Sequence, residues 1–374
     1  MKEALDKIKS SGLTGRGGAG FPTWKKIEMV DLAEGNRKFV ICNGSEGEPG
    51  VHKDEYILEN YPERVVDGVR IAMTYLKYSQ KGKRINVKGY LYLNTHLYRK
   101  YGQILRAIIH NDDIEIFHKP EKAGYIGGEE SALLNIMEGK VAEPRLRPPF
   151  PVTNGLWDYP TLINNVETFY DISLVMHNQY EGKRFYTING DVRNKGVYSF
   201  PANWTINQVL IQVNNHLLDL DKNGHKYDFF VQVGGDASGE ILNNSQLNRV
   251  ASGSASITVH SLIKHKPIKL LKKWVNFFFS ESCGQCVPCR EGTYRLNEFL
   301  KKKEIASASS LQVDWQLFFV ILNSTKESSL CGLGGSVHVP IYSYIENVLK
   351  KYSAKELNMD EAQRKLIIDS FTNQ

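Results

Sequence analysis

The sequence predicts an α/β protein with a helical C-terminal part, and three observations support this fold class. Short apolar runs rich in β-branched residues alternate with amphipathic segments as far as about residue 180, as in an α/β domain. From Arg184 to about Leu262 several short strands accompany one helix, which predicts a small β-rich domain. From Leu262 onward apolar residues recur at helical spacing, which predicts a helical bundle.

The first part alternates between strands and helices. Its predicted strands are Lys38–Cys42, Asn86–Leu93 and Ile114–Phe117. Its predicted helices are residues 2–10, Tyr61–Leu76, Tyr98–Asn111 and Ser131–Glu138. The segment Pro144–Pro160 is too rich in proline for regular structure, because proline lacks an amide donor and restricts the residue before it. A long irregular stretch in a compact domain is typical of a functional loop.

The two later parts are predicted in the same way. In the β-rich part the predicted strands are Phe185–Ile188, Val197–Phe200, Phe229–Val233 and Ile257–Val259, with a helix at Ile206–His216. In the helical part the predicted helices are Pro267–Phe279, Thr293–Lys303, Ser310–Ser324, Val339–Tyr352 and Met359–Phe371. The proline that opens the first of these helices lies in the first turn, where a missing amide costs little.

The composition excludes several classes of protein. Of the 374 residues, 41% are hydrophobic and 24% are charged, which are ordinary globular values that argue against long disorder. The net charge of +6 is too diffuse to indicate nucleic-acid binding, and the basic run Lys264–Lys273 suits either a solvated helix face or an acidic partner. No apolar stretch is long enough to span a bilayer and no signal peptide is visible, so we expect a cytoplasmic protein that reaches a membrane only through partners.

The strongest motif is a group of cysteines near the C-terminal end. These motif cysteines are Cys283, Cys286, Cys289 and, further on, Cys331. Three closely spaced thiolates and one distant thiolate suit a [4Fe–4S] cluster, and Gly284 and Pro288 suit a non-helical loop around it. A zinc site needs pairs of cysteines, and an odd total of five does not suit a disulfide framework. The fifth, Cys42, lies in an apolar strand and is predicted to be a buried small side chain.

A glycine loop (residues 15–20) is the second signal. It matches G-x-G-x-x-G, but a helix precedes it, whereas a strand precedes the ordinary dinucleotide fingerprint. Its backbone amides still suit a phosphate, and Arg16 or Lys26 can add positive charge. The alternative is a tight structural turn.

Three further loops carry polar side chains. Residues 43–50 follow the first strand, where α/β folds bind ligands, and their carboxylates suit sugar hydroxyls or an amide; a charged surface turn has the same composition. Residues 124–130 lead into a helix, so their acids also complement the helix dipole. Residues 164–168 offer amide and hydroxyl groups that suit a flavin edge or a phosphate, although paired asparagines are equally common in turns.

Together these segments resemble one family. The stretches that carry the resemblance are GLTGRGGAGFPT, ICNGSEGEPGVHKDE, GYIGGEESALLNIMEGK, PRLRPPFPVTNGLW, PTLINNVET, GGDASGE, ESCGQCVPCREGT and LCGLGG, which span nearly the whole chain. They resemble the NADH-binding flavoprotein subunit of respiratory complex I and the related subunit of NAD(P)-linked hydrogenases and formate dehydrogenases. The resemblance implies a Rossmann-like FMN- and NADH-binding domain at 1–182, a ubiquitin-like β-grasp (SLBB-like) domain at 183–263 and a helical bundle with the Fe–S cluster at 264–374.

The resemblance also implies roles for individual residues. Those that would hold FMN are Gly15, Gly17 and Lys26 with Arg16 beside them, Asn43, Ser45, Glu46, Gly128 and Glu129 at the ribityl chain and ring, and Asn164, Asn165 and Thr168 on the phosphate side. Those that would meet the dinucleotide are Phe21 by stacking, Glu48 and Glu130 at ribose or nicotinamide groups, and Arg147 and Phe150 along the same cleft. The metal ligands would be the motif cysteines.

The sequence departs from the family at several of these places. Ser45 stands where the family usually has aspartate, Gly127 where it has cysteine, Arg147 where it has lysine, and Trp24 where it has glycine. Met29 replaces a second stacking aromatic residue. The serine removes an expected flavin contact and a negative charge, which bears on the nicotinamide preference and on the flavin potential.

The resemblance implies an enzyme, an NADH dehydrogenase subunit that passes hydride from NADH to FMN and single electrons through the [4Fe–4S] cluster to a partner. The expected partners are a thioredoxin-like [2Fe–2S] subunit and a larger iron–sulfur subunit, in the peripheral arm of a membrane complex or in a soluble complex. Two alternatives stay open. One is the same module in a soluble hydrogenase, formate dehydrogenase or bifurcating complex; the other is a non-catalytic relay or scaffold that keeps the cluster.

Overall fold

The chain divides into two compact units. The computed structural model describes residues 2–79, 85–110, 112–214, 228–305 and 314–373. The first unit comprises residues 1–47, 51–186 and 197–202, and the second comprises residues 48–50, 187–196 and 203–374. In the described part of the chain, no helix combines the length and the apolar character needed to cross a membrane.

The first unit is built on a parallel four-stranded sheet. Its strands are β1 (Arg37–Gly44), β2 (Asn86–Leu93), β3 (Ile114–His118) and β4 (Thr161–Asn165), in the order β3-β2-β1-β4. Its helices are α1 (Lys2–Ser10), α2 (Thr23–Leu32), α3 (Lys53–Asn60), α4 (Pro62–Tyr78), α5 (Thr95–Ile109), α6 (Glu130–Met137) and α7 (Val166–Met176). Because neighbouring strands pair in parallel, their carboxyl ends meet at one edge of the sheet.

Apolar clusters cover both faces of this sheet. Val40 and Cys42 belong to one cluster, whereas Phe39 and Ile41 belong to another that includes Leu133 of α6. Successive side chains of a strand point to opposite faces, so β1 contributes alternately to the two clusters. Burial on both sides explains the continuous apolar run of β1. Cys42 is a buried small side chain, as predicted.

A mixed sheet and a set of helices follow along the chain; most of their residues belong to the second unit, whereas residues 183–186 of β5 and 197–201 of β6 belong to the first. The strands are β5 (Lys183–Gly190), β6 (Gly196–Pro201), β7 (Phe229–Val233), β8 (Glu240–Asn243) and β9 (Ser256–Ser261), in the order β6-β5-β9-β7-β8. The helices are α8 (Ile206–Gln212), α9 (Pro267–Ser280), α10 (Val287–Ile305), α11 (Trp315–Ser328), α12 (Gly332–Ser336), α13 (His338–Tyr344) and α14 (Glu361–Thr372). Strands β5 and β9 are parallel, while β7 is antiparallel to β8 and β9.

The structure confirms the α/β class with a parallel sheet and a helical C-terminal part. The segment Pro144–Pro160 is irregular as predicted, apart from a short turn of 3₁₀ helix. The helices and strands missing from the expectation are α2, α3, β4, α7, β8 and α12. All of them except α7 are short or begin with a polar residue, and α7 directly follows the paired asparagines 164 and 165. Of the predicted helices, Asn111 and residues 215–216 and 310–313 lie outside the described residues.

One local prediction at the cysteine motif is wrong. Helix α10 begins at Val287, so Pro288 and Cys289 lie in its first turn and not in a non-helical loop. Proline is tolerated there because the first-turn amides lack partners within the helix anyway. The preceding residues do form a loop, in which Gly284 has a φ of 81°, a left-handed conformation that favours glycine.

Candidate functional site

The carboxyl edge of the parallel sheet collects the polar loops of the first unit. Strands β1 and β4 are neighbours, with Cys42 paired to Asn164 and Asn43 paired to Asn165. The loop at 43–47 therefore leaves the sheet beside the end of β4, where α7 begins. Open α/β sheets bind their ligands at this edge.

The loop at 124–130 is joined to the loop after β1. The side-chain amide of Asn43 donates a hydrogen bond to the carbonyl of Gly128 (2.9 Å). A Cβ at Gly128 would clash with the hydroxyl of Ser45, so this close approach requires glycine. A Cβ at Gly127 would lie 3.0 Å from that of Ala123. The cysteine that the resembling family has at this position would therefore need its neighbours to move.

The glycine loop lies against the start of α7. The amide of Arg16 donates to the hydroxyl of Thr168 (2.9 Å), and a Cβ at Gly17 would lie 3.5 Å from the Cβ of Asn165. These contacts bring the loops at 15–20, 43–47, 124–130 and 164–168 together at one edge. The structure thus gathers four segments that are distant in the sequence.

The outer side of the glycine loop is open. The amide of Gly15 donates to the carbonyl of Phe21 (2.8 Å) and closes the loop. Gly18 and Gly20 have φ values of 125° and 65°, which glycine adopts without strain. Among the described residues, nothing lies within 4 Å of a Cβ placed on either glycine. The ring of Phe21 is 41% exposed.

The guanidinium of Arg16 is buried below the loop. Its Nε donates to a carboxylate oxygen of Asp171 (3.1 Å), and a terminal nitrogen donates to the hydroxyl of Tyr180 (3.0 Å). Arg16 is 6% exposed. The guanidinium is thus bound by residues of α7 and of the segment after it. The contact of Arg16 with the Thr168 hydroxyl is made by its backbone amide.

Lys26 of α2 reaches the end of β4. Its ammonium donates to the carbonyl of Ile163 (2.7 Å) and pairs with the carboxylate of Glu130. Helix α2 was not predicted, yet it is the element that carries this lysine to the edge of the sheet. The lysine and the glycine loop that precedes α2 therefore share one side of the site.

Glu129 lies at the start of α6. Its carboxylate accepts hydrogen bonds from the amides of Ser131 (3.0 Å) and Ala132 (2.9 Å), which caps the helix. The same carboxylate pairs with Arg147. Phe150, from the proline-rich segment, is 50% exposed. The proline-rich segment thus supplies a cation to the loop at 124–130.

The side chain of Asn165 is fully hydrogen-bonded, whereas the side-chain nitrogen of the adjacent Asn164 is not. The carbonyl oxygen of the Asn165 side chain accepts from the ammonium of Lys53 (2.7 Å) and the amide of Glu167 (3.1 Å). Its nitrogen donates to Asp54 (2.6 Å) and to a carbonyl of β1 (3.4 Å). The nitrogen of the Asn164 side chain is buried and has no partner among the described residues. An unmet buried donor is costly, so a ligand atom is its natural partner.

Three buried charged residues beneath the loops were missing from the expectation. They are Lys53, Asp54 and Glu167. Glu46, which was expected, caps α3 by accepting from the amides of Asp54 (2.8 Å) and Glu55 (3.1 Å). Burial raises the pKa of Glu46 to about 8, and the nearby Asp54 adds to the rise. The sequence signal for the missed residues was a plain Lys-Asp pair after the loop, which looks like surface.

Glu48 belongs to the second unit. Its carboxylate accepts from the amides of Ala237 (3.1 Å) and Ser238 (3.0 Å) and from the hydroxyl of Ser238 (2.9 Å). Gly235 makes room for it, because a Cβ there would clash with the Glu48 side chain. The GGDASGE stretch, which had no assigned role, thus holds this carboxylate.

The motif cysteines lie around the start of α10 in the second unit. Cys283 and Cys286 are in the loop before the helix, Cys289 is in its first turn, and Cys331 directly precedes α12. None forms a disulfide. Burial raises the pKa of the Cys289 thiol to about 11; Ser282 opposes the rise, whereas the charges of the other motif cysteines add to it. The four sulfurs therefore lie within electrostatic range of one another.

Glycines let the backbone approach these thiols. A Cβ at Gly334 would clash with Ser329 and lie 3.0 Å from the Cβ of Cys289. Among the described residues, nothing lies within 4 Å of a Cβ placed on Gly332. The described residues include no set of three His, Cys, Asp or Glu side chains close enough to hold a metal ion.

Two families match the two parts of the chain. Residues 8–174 match the family described as Nuo51 FMN-binding domain. Residues 269–355 match the NADH-ubiquinone oxidoreductase-F iron-sulfur binding region. The first match covers the four converging loops, and the second covers the motif cysteines.

The chain is also similar to proteins over nearly its whole length. The F subunit of the NADH-quinone oxidoreductase of Aquifex aeolicus is 31% identical over 350 residues, which cover 89% of this chain and 81% of the relative. The alpha subunit of the NAD-reducing hydrogenase HoxS of Cupriavidus necator is 32% identical over 95% of this chain and 60% of that subunit. A crystal structure of NAD⁺-reducing [NiFe]-hydrogenase in the H2-reduced state has a TM-score of 0.80 and 28% identity, covering 98% of this chain and 62% of that one.

The chain therefore spans less than two thirds of the hydrogenase chains but four fifths of the Aquifex aeolicus protein. The two domain matches agree with the positions of the glycine loop and the motif cysteines. The chain belongs to the family of the F subunits of NADH-quinone oxidoreductases, and it is an FMN- and iron–sulfur-dependent NADH oxidoreductase.

Proposed function

We propose that the loops at the carboxyl edge of the parallel sheet bind FMN and NADH, and that the motif cysteines bind the [4Fe–4S] cluster. The chain then moves electrons from NADH to a partner subunit of the same complex. The observation that carries the proposal is the unmet amide of Asn164, buried at the end of β4 where the polar loops converge. A buried donor with no partner among the described residues is consistent with a site built for a polar ligand.

The residues at this edge suit a flavin nucleotide. The glycine loop that contains Gly15 and Gly17 is open at Gly18 and Gly20, and a backbone of this kind suits a phosphate. Lys26 brings a cation to the end of β4, where Asn164 lies, and Thr168 lies in the first turn of α7, which follows β4 directly. The other proposed FMN residues are Arg16, Asn43, Ser45, Glu46, Gly128, Glu129 and Asn165. Several of them act by shaping the loops, as their hydrogen bonds to helix amides and to one another indicate.

The proposed dinucleotide residues combine exposed rings with charged groups. Phe21 and Phe150 are half-exposed aromatic side chains of the kind that stack on planar heterocycles. Glu130 pairs with Lys26, and Arg147 pairs with Glu129, so both lie close to the loops proposed to bind the flavin. We assign Glu48 to the ribose or nicotinamide as well, on the family resemblance.

The motif cysteines have the ligand chemistry of an iron–sulfur cluster. Four thiols that lie near one another and form no disulfide match the all-cysteine ligation of [4Fe–4S]. When bound, FMN accepts hydride from NADH and the cluster carries single electrons onward. The protein's part is to hold and orient both groups, and the backbone at Gly332 and Gly334 can approach the cluster closely.

The finer organisation belongs to the same proposal. We assign residues 1–182 to a Rossmann-like flavin domain, 183–263 to a β-grasp domain and 264–374 to the cluster-bearing bundle. The mixed sheet of β5 to β9 with α8 supports the middle assignment. The proposed partners are a thioredoxin-like [2Fe–2S] subunit and a larger iron–sulfur subunit, and the proposed location is cytoplasmic, in a peripheral arm or a soluble complex.

Two other functions have observations in their favour. Structural similarity over 98% of this chain favours the same module in an NAD-linked hydrogenase. Ser45, Trp24 and Met29 differ from the resembling family and favour a relay that keeps the cluster without oxidising NADH. Such a relay would retain the motif cysteines and lose only the dinucleotide reaction.

An anaerobic titration with NADH tests the proposal. The protein, supplied with FMN, iron and sulfide, is followed by flavin absorbance and by low-temperature EPR. We expect the flavin to bleach and a reduced-cluster signal to appear. The variant Lys26→Ala should lose the bleaching, whereas Lys25→Ala, an exposed lysine on the same helix, should keep it. A cluster that dithionite reduces, with a flavin that neither NADH nor NADPH bleaches, would contradict the proposal and favour the relay.

A further inference from the structure

Lys53 is a buried lysine to which the proposed site gives no role. It opens α3 and is 2% exposed. Its ammonium reaches carboxylate oxygens of Asp54 (2.6 Å) and Glu167 (3.2 Å) and the side-chain oxygen of Asn165 (2.7 Å). The ammonium donates hydrogen bonds to Asp54 and Asn165, and its contact with Glu167 is an ion pair without a hydrogen bond.

The charge of Lys53 is kept by its surroundings. Burial alone would lower the pKa of Lys53, but Asp54, Glu167 and Glu46 outweigh it and raise that pKa above the ordinary value. A charged group is retained in a protein interior when it is both paired and hydrogen-bonded. The lysine is therefore a cation fixed on three sides.

This cation ties two helix starts to each other. Asp54 lies in the first turn of α3 and accepts a second hydrogen bond from the nitrogen of Asn165 (2.6 Å). Asn165 caps α7 through the amide of Glu167 (3.1 Å). Lys53, Asp54 and Asn165 thus form a closed ring of contacts between α3 and α7. Glu46 bonds the amide of Asp54, and Asn164 directly precedes Asn165, so residues of two proposed flavin loops adjoin this ring.

We propose that Lys53 is a positioning residue of the flavin site: by fixing Asp54 and the amide of Asn165, it holds Glu46 and Asn164 in the arrangement that binds FMN. This inference rests on the proposed function of the first unit. It assigns to Lys53 no contact with the cofactor or the substrate.

The alternative is that Lys53 only balances buried charge. Lys53→Met removes the cation and leaves acids unpaired, so it tests folding and positioning together. The double variant Lys53→Met/Glu167→Gln removes one buried charge of each sign, so the net charge of the cluster is unchanged and the variant should be perturbed less in folding than Lys53→Met. A matched control is Lys88→Met, which breaks an exposed pair with Glu115 in the same unit.

The test compares binding of FMN to the full-length apoproteins and the visible circular dichroism of the bound flavin at saturation. We expect both Lys53 variants to bind FMN about tenfold more weakly and to show altered dichroism, while Lys88→Met matches the wild type. A double variant with wild-type affinity and dichroism would overturn the inference and leave the proposed function intact. A wild-type protein that fails to bind FMN would overturn both.

Discussion

The unmet amide of Asn164 yields a prediction that separates stability from function. Asn164→Leu replaces a buried polar side chain with an apolar one of similar size. The side-chain nitrogen has no partner among the described residues, and such a group costs about 1–3 kcal/mol of folding free energy. The apoprotein of this variant should therefore be more stable than the wild type by about 2 kcal/mol, or about 4–8 °C in a unit of this size.

The same substitution should weaken the binding of FMN. If the amide donates to the cofactor, its loss costs about 0.5–1.5 kcal/mol of binding free energy, up to about a tenfold change in the dissociation constant. The variant would then be stabilised less by added FMN than the wild type, because ligand stabilisation depends on the ratio of concentration to dissociation constant. We therefore expect the variant to have a more stable apoprotein and, at the same time, a weaker affinity for FMN.

The neighbouring asparagine provides the control. Asn165→Leu is the same chemical change, but it removes four hydrogen bonds and leaves Lys53 and Asp54 short of partners. It should destabilise the apoprotein by about 3 kcal/mol or more. Thermal unfolding with and without FMN, together with FMN fluorescence titration, measures all these quantities. An Asn164→Leu apoprotein less stable than the wild type, or one with unchanged FMN affinity, would refute the reasoning.

Two further predictions concern the second unit. Burial lowers the pKa of His260 to about 3 in the folded protein, whereas the ring in the unfolded chain binds a proton below about pH 6.5. The free energy of unfolding is therefore highest above that pH and falls on acidification, by about 2 kcal/mol at pH 5. In urea unfolding at pH 7 and pH 5, His260→Leu should remove this decrease in the free energy of unfolding. A variant that shows the same decrease as the wild type would contradict a neutral buried His260 ring. Gly334→Ala places a methyl against the side chain of Ser329 and 3.0 Å from the Cβ of Cys289, so iron and sulfide content after reconstitution should fall by roughly half or more. Gly335→Ala meets its nearest atom at 3.9 Å and should keep the cluster; equal contents in the two variants would contradict this account.

Local patterns in the sequence were sufficient for the class and for the chemistry of the cofactors. The apolar run that became β1 is buried on both faces of the sheet, whereas β2 and β3 also contain the charged residues Lys88 and Glu115, which lie outside the core. The spacing of the motif cysteines indicates their ligand chemistry because thiolates at short intervals, followed by a distant one, suit few other metal groups. The glycine loop was recognised by its composition, although its position after a helix differs from the usual fingerprint.

Secondary-structure limits were less predictable where polar residues begin an element. Strand β4 ends in the two asparagines that looked like a turn, and α3 opens with a buried Lys-Asp pair that looked exposed. In both places the tertiary structure overrides the local preference, because hydrogen bonds to distant residues replace the water that polar side chains would otherwise need.

Residue types and their spacing along the chain were enough to establish the family, the cofactor types and the alternation of helices and strands. The partners of the buried polar residues, in contrast, became known only from the folded chain. Lys53 and Asn165 are 112 positions apart, and no pattern in either segment predicts that the two side chains are in contact. Adjacent asparagines with the same local sequence environment differ because one meets its partners across the sheet edge and the other does not. The pairing of buried polar groups depends on three-dimensional proximity, which chain order does not encode locally.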